Sequence, residues 1–222
     1  MEGRKTTIRP PTNDILVYIC VLDFEATCWD DDGKSRWRME IIEFPSVLIE
    51  WNTKTGKTRR LGEFQEYCKP LASEVSPFCE ELTGITQETV NQGGKFPEVI
   101  RRHYKWLKTL IPVEQRDVYI MTVGQWDLAI QLPRDLKRWN MTLKNIPKVY
   151  KRFYNIKADF VKFIKPKNKR GFGMAKMLKF LNLKLDGRHH SGIDDCKNTA
   201  KIFEKLVRKG IRFENLKLNL VS

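Results

Sequence analysis

Four carboxylic acids and one histidine stand out by position as much as by type. Asp23 and Glu25 lie two apart at the carboxyl end of an apolar stretch, Ile15 to Glu25. In an extended chain both side chains leave the same face. They continue the row of Val17, Ile19 and Val21, and open α/β sheets place ligands at the carboxyl ends of such strands. A solvated strand end accounts for the pair as well. Asp127, in Gly124-Gln125-Trp126-Asp127, follows a second predicted strand and opens a helix. That position suits a helix N-cap equally.

The stretch His189-His190-Ser191-Gly192-Ile193-Asp194-Asp195 says more. Ser191 followed three residues later by Asp194 predicts a capping box at the start of the last long helix. Asp194 then shares the polar face with Asn198, Lys201 and Lys205. Asp195 shares its face with Thr199, Ile202 and Leu206, which turns it inward. A carboxylate aimed at the core requires a cation or a hydrogen-bonding partner. His190 sits on the loop before this helix, at the same edge. His189 reads as a bystander.

Bringing these acids together without a counterion is costly, since two unit charges about 4 Å apart repel by roughly 4 kcal/mol at an effective dielectric near 20. Oxygen-only ligation suits Mg²⁺ or Mn²⁺ rather than zinc. Two such ions roughly 3.5–4 Å apart assist in-line displacement at a phosphodiester, and a neutral histidine nearby can accept the proton of the attacking water. The chemistry is metal-assisted hydrolysis.

Those residues need a sheet and helices to hold them. Ile15 to Glu25, Met39 to Trp51 and Arg59 to Cys68 read as an antiparallel meander, with a hairpin turn at Asn52 to Gly56. Short helices are expected at Phe78 to Leu82, ending at Gly84, and at Thr86 to Val90, with a longer one at Pro97 to Leu110. Asp117 to Val123 is a fourth strand. Beyond it, Leu128 to Trp139, Gly173 to Leu181 and Ile193 to Lys209 are helix-like, and Phe153 to Ile156 is extended. Strands first and then strand–helix alternation predict an α/β fold with a mixed central sheet flanked by helices. Residues 1–13 read as a flexible basic tail and residues 14–222 as a single domain. His103 reads as a surface residue of its helix, and most Phe and Trp residues as core. Lys165 to Arg170 is a basic loop, either merely solvated or tracking phosphates.

Composition narrows the partner. The chain has 41 Lys+Arg against 27 Asp+Glu, a net charge of +14, which predicts an anionic partner with nucleic acid first. The longest apolar run, Ile15 to Leu22, is far short of the roughly 18 residues needed to span a bilayer, so no membrane partner is expected. Five widely spaced cysteines without a C-x-x-C pair argue against a disulfide framework or zinc ribbon and for an intracellular setting, cytoplasmic or nuclear. No small-molecule cofactor is implied.

Asp23-Phe24-Glu25-Ala26-Thr27, Trp126-Asp127 and His190 to Asp195 resemble, in order and spacing, the three motifs of the DEDDh 3′-to-5′ exonucleases. Glu40-Ile41-Ile42-Glu43-Phe44-Pro45 and Leu82-Thr83-Gly84-Ile85-Thr86 are similar to the histone-mRNA/enhanced-RNAi exonuclease branch, in its short Snipper-like form without a SAP module. The resemblance implies the ribonuclease-H-like exonuclease fold. It also implies Asp23, Glu25, Asp127 and Asp195 as ligands of two Mg²⁺ (Mn²⁺ substituting) and His190 as general base, with Glu25 also in a catalytic role. Glu25, Ala26, Thr27, Leu82, Thr83, Ile85, Trp126 and His190 would contact the terminal nucleotides. The implied reaction releases nucleoside 5′-monophosphates from RNA 3′ ends, on single strands or overhangs. DNA as an equal or main substrate, and a catalytically silent RNA-binding scaffold, are the competing expectations.

Overall fold

The computed structural model describes residues 16–111, 118–165, 172–210 and 218–221. Strand β1 (Leu16–Leu22) leads into the two-residue β2 (Glu25–Ala26) and, after a loop, β3 (Ile41–Asn52) and β4 (Thr58–Tyr67). Helices α1 (Pro77–Thr83), α2 (Gln87–Asn91) and α3 (Phe96–Leu110) precede β5 (Val118–Thr122). Then come α4 (Leu132–Arg138), β6 (Arg152–Asn155), α5 (Ile156–Ile164), α6 (Met174–Phe180), α7 (Gly192–Arg208) and β7 (Leu218–Leu220).

Among the described residues, the strands belong to one mixed, seven-stranded sheet. β1, β3 and β4 form the expected antiparallel meander, while β5 runs parallel to β1 and β6 parallel to β5. The hairpin between β3 and β4 turns on Asn52, whose Oδ1 accepts from the backbone of Lys54 and Thr55, and closes at Gly56 with φ +71°. β1 is apolar on both faces because both are covered. Val17, Ile19 and Val21 pack with Phe160, Met177, Ile202, Phe203 and Leu206 of α5, α6 and α7. Tyr18, Cys20 and Leu22 pack with Phe96, Val99, Leu107, Leu132 and Leu136 of α3 and α4. No helix among the described residues is long and apolar enough to cross a membrane.

Four sequence expectations change. The first strand does not run unbroken to Glu25, because the Phe24 N–H donates to the Asp127 carboxylate at 2.9 Å rather than to a neighbouring strand. Glu25 nevertheless keeps the register of β1 along β3, facing Glu43 as Leu22 faces Ser46, and the register shifts at Ala26, which faces Ile41. The helix expected over Leu128 to Trp139 is two pieces, a π-helical turn at Trp126–Gln131 followed by α4. α5 and β7 were not anticipated; Asn155, closing β6, caps α5 through its side chain.

His103 is the fourth. It is wholly buried, its Nδ1 2.6 Å from the Tyr150 hydroxyl and its Nε2 3.7 Å from Cys20 Sγ, so its helix face is the inner one. Trp37, 71% exposed, is an exception that the expectation of mostly core Phe and Trp residues allows. Residues 1–13 and 166–170, the tail and most of the basic loop, lie outside the described residues.

Candidate active site

Three chain segments deliver the acids to one end of β1. Asp23 and Glu25 follow β1 on the face covered by α7. Asp127 comes from the π-helical turn after β5, and its Oδ1 accepts the Phe24 N–H, joining the first two segments directly. π-helical turns of this kind recur at functional sites. Asp195 lies one turn into α7, 4% exposed, and its Oδ2 accepts the His190 N–H at 3.1 Å.

Electrostatics record the convergence. Asp23 is pushed well above the usual carboxylate range by burial, then by Asp127, Glu25, Asp195 and Glu43. Burial, then Glu43, Asp195 and Asp127, raise Glu25 to about 9. Burial lifts Asp127 and Asp195 to about 6 each. Among the described residues no lysine or arginine pairs with any of these four acids; the one ion-pair partner is His189, 3.9 Å from Asp195 Oδ2. Asp195 Oδ1 is buried without a hydrogen-bond partner. A hard divalent cation answers all three observations: it takes oxygen donors, lowers the cost of ionising the acids, and gives Asp195 Oδ1 a ligand role. No three of the four acids have ligand atoms within 4.8 Å of one another among the described residues. Mg²⁺ does not require that, since it is commonly held through one or two carboxylates together with waters and substrate phosphate oxygens.

The N-terminus of α7 is fixed by a residue whose task the sequence did not disclose. The expected capping box is absent: Ser191 is the N-cap residue but its side chain makes no capping hydrogen bond, and Asp194 instead accepts from the Arg188 N–H. Glu43 of β3, 2% exposed, takes over the cap, its Oε2 accepting from the Gly192 N–H at 3.1 Å and its Oε1 from Gln65 Nε2 at 2.8 Å. A carboxylate at a helix N-terminus complements both the free N–H groups and the helix dipole. Gly192 is required there, since a Cβ would stand 2.7 Å from Pro45 Cγ, 2.9 Å from Glu43 Oε2 and 3.0 Å from the Asp23 carbonyl oxygen. The helix carrying Asp195 is thus pressed against the strand end carrying Asp23.

His190 is half-buried with φ +68°, and burial, then His189 and Arg188, push its pKa below the ordinary histidine value. Its ring is therefore neutral at physiological pH. Leu82 and Trp126 are also half-buried. The other residues proposed for nucleotide contact turn inward. Thr27 accepts the Glu40 N–H, Thr83 donates to the Cys79 carbonyl and accepts the Ile85 N–H, and Ile85 packs with Ile42, Cys79 and Val90. The Ala26 carbonyl accepts the Cys79 thiol. These side chains build the wall between β2 and α1. The Arg188 guanidinium fastens the His190 loop to this wall through the carbonyls of Glu81 and Leu82.

A family model described as exonuclease (RNase_T) matches residues 20–203. The chain belongs to the RNase_T exonuclease family. Within that family it is 35% identical over 205 residues to 3′-5′ exoribonuclease 1 of Rattus norvegicus, a match covering 87% of this chain and 54% of the relative. To the 3′-5′ exonuclease Snipper of Drosophila melanogaster it is 33% identical over 210 residues, covering 88% and 71% respectively. The chain thus spans about half the length of several curated relatives. A solved structure of the nuclease domain of 3′hExo, a DEDDh family member bound to rAMP, superposes with a TM-score of 0.80 at 32% identity, over 92% of this chain and 97% of that one. The fold is that of RNase-H-like DEDDh exonuclease domains, as the resemblance implied, and the family is one of nucleases.

Proposed function

We propose that this exonuclease removes nucleotides one at a time from the 3′ end of RNA, single-stranded or overhanging, and releases nucleoside 5′-monophosphates. One observation carries the reading: Asp23, Glu25, Asp127 and Asp195 converge from three segments beside a neutral histidine, with a buried carboxylate oxygen left over for a ligand. Asp23, Glu25, Asp127 and Asp195 would hold two Mg²⁺ ions, or Mn²⁺ in their place, which would supply Lewis-acid stabilisation of developing negative charge. His190 accepts the proton of the attacking water, with its backbone held by Asp195. Glu25 has a second role at the substrate end, where β2 and Leu82 flank the terminal nucleotide and Trp126 offers a ring for a base. A relative named as an exoribonuclease and a neighbour bound to rAMP support RNA over DNA.

The test uses 5′-labelled RNA and DNA strands with free or phosphate-blocked 3′ ends, together with a circular RNA. The proposal expects a descending ladder and mononucleotide product from the RNA with a free 3′ end. Cleavage of the circle would show an endonuclease, faster loss of DNA would reverse the substrate, and tight binding without products would show a scaffold.

A further inference from the structure

His189 has no task in the chemistry above, yet its ring is held at the site. Neighbouring side chains ordinarily diverge, but the left-handed backbone at His190, rare outside glycine, folds the two rings onto each other. Their centroids are 3.9 Å apart with 39° between the planes. His189 Nε2 is 3.9 Å from Asp195 Oδ2, and one donor atom from each of His189, His190 and Asp195 lies within 4.8 Å of the other two. Asp195 is 4% exposed with Oδ1 unpartnered, whereas the His189 side chain is 41% exposed, giving an ion a path from solvent.

Two imidazole nitrogens and one carboxylate oxygen form a donor set that hard ions use poorly and borderline first-row ions use well. Tetrahedral zinc with ligands at about 2.0–2.1 Å needs donors roughly 3.4 Å apart, so the three donors, within 4.8 Å of one another, must draw closer on binding, and the exposed His189 ring is the one with room to move. We propose that His189, His190 and Asp195 form a binding site for a zinc-class transition ion, and that filling it silences the nuclease. The inhibitory half rests on the function proposed above; the binding half does not. Ligation occupies the lone pair with which His190 takes up a proton and withdraws Asp195 from the hard-ion site. The same reaction thus needs one class of metal and is stopped by another.

The experiment titrates zinc chloride into RNA digestion run in excess Mg²⁺, for the unaltered chain and His189→Gln. In parallel, zinc affinity is measured for both by competition with a chromophoric chelator. The expected result is inhibition of the unaltered chain, with His189→Gln keeping its Mg²⁺-supported turnover and needing about tenfold more zinc or greater for both inhibition and binding. Equal zinc affinity in the two proteins overturns the site, whichever way activity responds. A difference in affinity without a difference in inhibition retains the site and overturns the silencing. A difference in affinity in a chain that digests no RNA leaves the site standing and rejects the proposed function instead.

Discussion

Burial makes Asp23, Glu25, Asp127 and Asp195 hard to ionise, repulsion from neighbouring acids adds to it at Asp23 and Glu25, and this has a measurable sign. Each folded-state value is raised, with Glu25 at about 9 and Asp127 and Asp195 at about 6, so the folded chain keeps protons that an unfolded chain releases near pH 4. Stability from these groups is fully present below their ordinary values and is lost as pH rises through the raised ones. An incoming cation must displace the protons, so apparent Mn²⁺ affinity should climb between pH 6 and 8, by about tenfold per pH unit for each proton displaced. Calorimetry in buffers of different ionisation enthalpy measures both affinity and proton release; an affinity flat across that range would contradict the reading. His103 runs the other way. Burial lowers its pKa to about 3, so the unfolded chain takes up a proton below about 6.5 that the folded chain refuses. Its contribution falls as pH drops, by about 2 kcal/mol at pH 5, and urea unfolding of His103→Gln should lack that loss. The inward placement was available from spacing, because His103 falls in line with Phe96, Val99, Ile100 and Leu107. Its neighbours Arg101, Arg102 and Lys105 hid it.

Geometry at the scale of elements rests on where α7 begins. Glu43 caps it from another strand, and removing that carboxylate leaves the buried Gly192 N–H unpartnered, while the exposed Gln65 amide keeps the Tyr67 hydroxyl. Glu43→Ala should cost about 1–3 kcal/mol in urea unfolding. It should also lower turnover under conditions where the protein is still folded. Full turnover in a destabilised but folded variant would confine Glu43 to stability. Gly192→Ala is sharper. Alanine ordinarily favours a helix by about 1 kcal/mol over glycine, but here its Cβ drives α7 away from Asp23 and Pro45. A displacement near 1 Å should reduce turnover about 10²-fold, read by single-turnover digestion at saturating RNA. The sequence showed which helix carries Asp195 and which face turns inward, because periodicity is local. It could not show the cap: Ser191 and Asp194 satisfied a local motif, while the working partner lies 149 residues away. The π-helical turn was hidden for a related reason. Trp126 to Gln131 has the composition of an ordinary helix start, and its wider winding accompanies the tertiary bond from Phe24 to Asp127.

Across the whole molecule, a net charge of +14 surrounds a site made of acids. Under the proposed function the basic excess would draw the phosphate backbone in, and the acids would hold ions rather than the strand. RNA affinity of a non-cleaving variant should therefore fall linearly with salt on logarithmic axes, by about 0.7 per phosphate contact, as measured by fluorescence anisotropy. Salt-independent binding would mean that the charge serves another partner. The α/β architecture and the order of the acidic motifs were readable because strand and helix ends are written locally. The meeting of the motifs is a property only of the folded chain. Digestion of 5′-labelled RNA by Asp23→Asn, Asp127→Asn and Asp195→Asn, each with Mg²⁺ and with chelator, tests that meeting most directly. Loss of the descending ladder in every variant, by at least about 10³-fold while the fold is retained, is the expected result. A ladder that persists in any one of them, or in the unaltered chain with chelator, would contradict it.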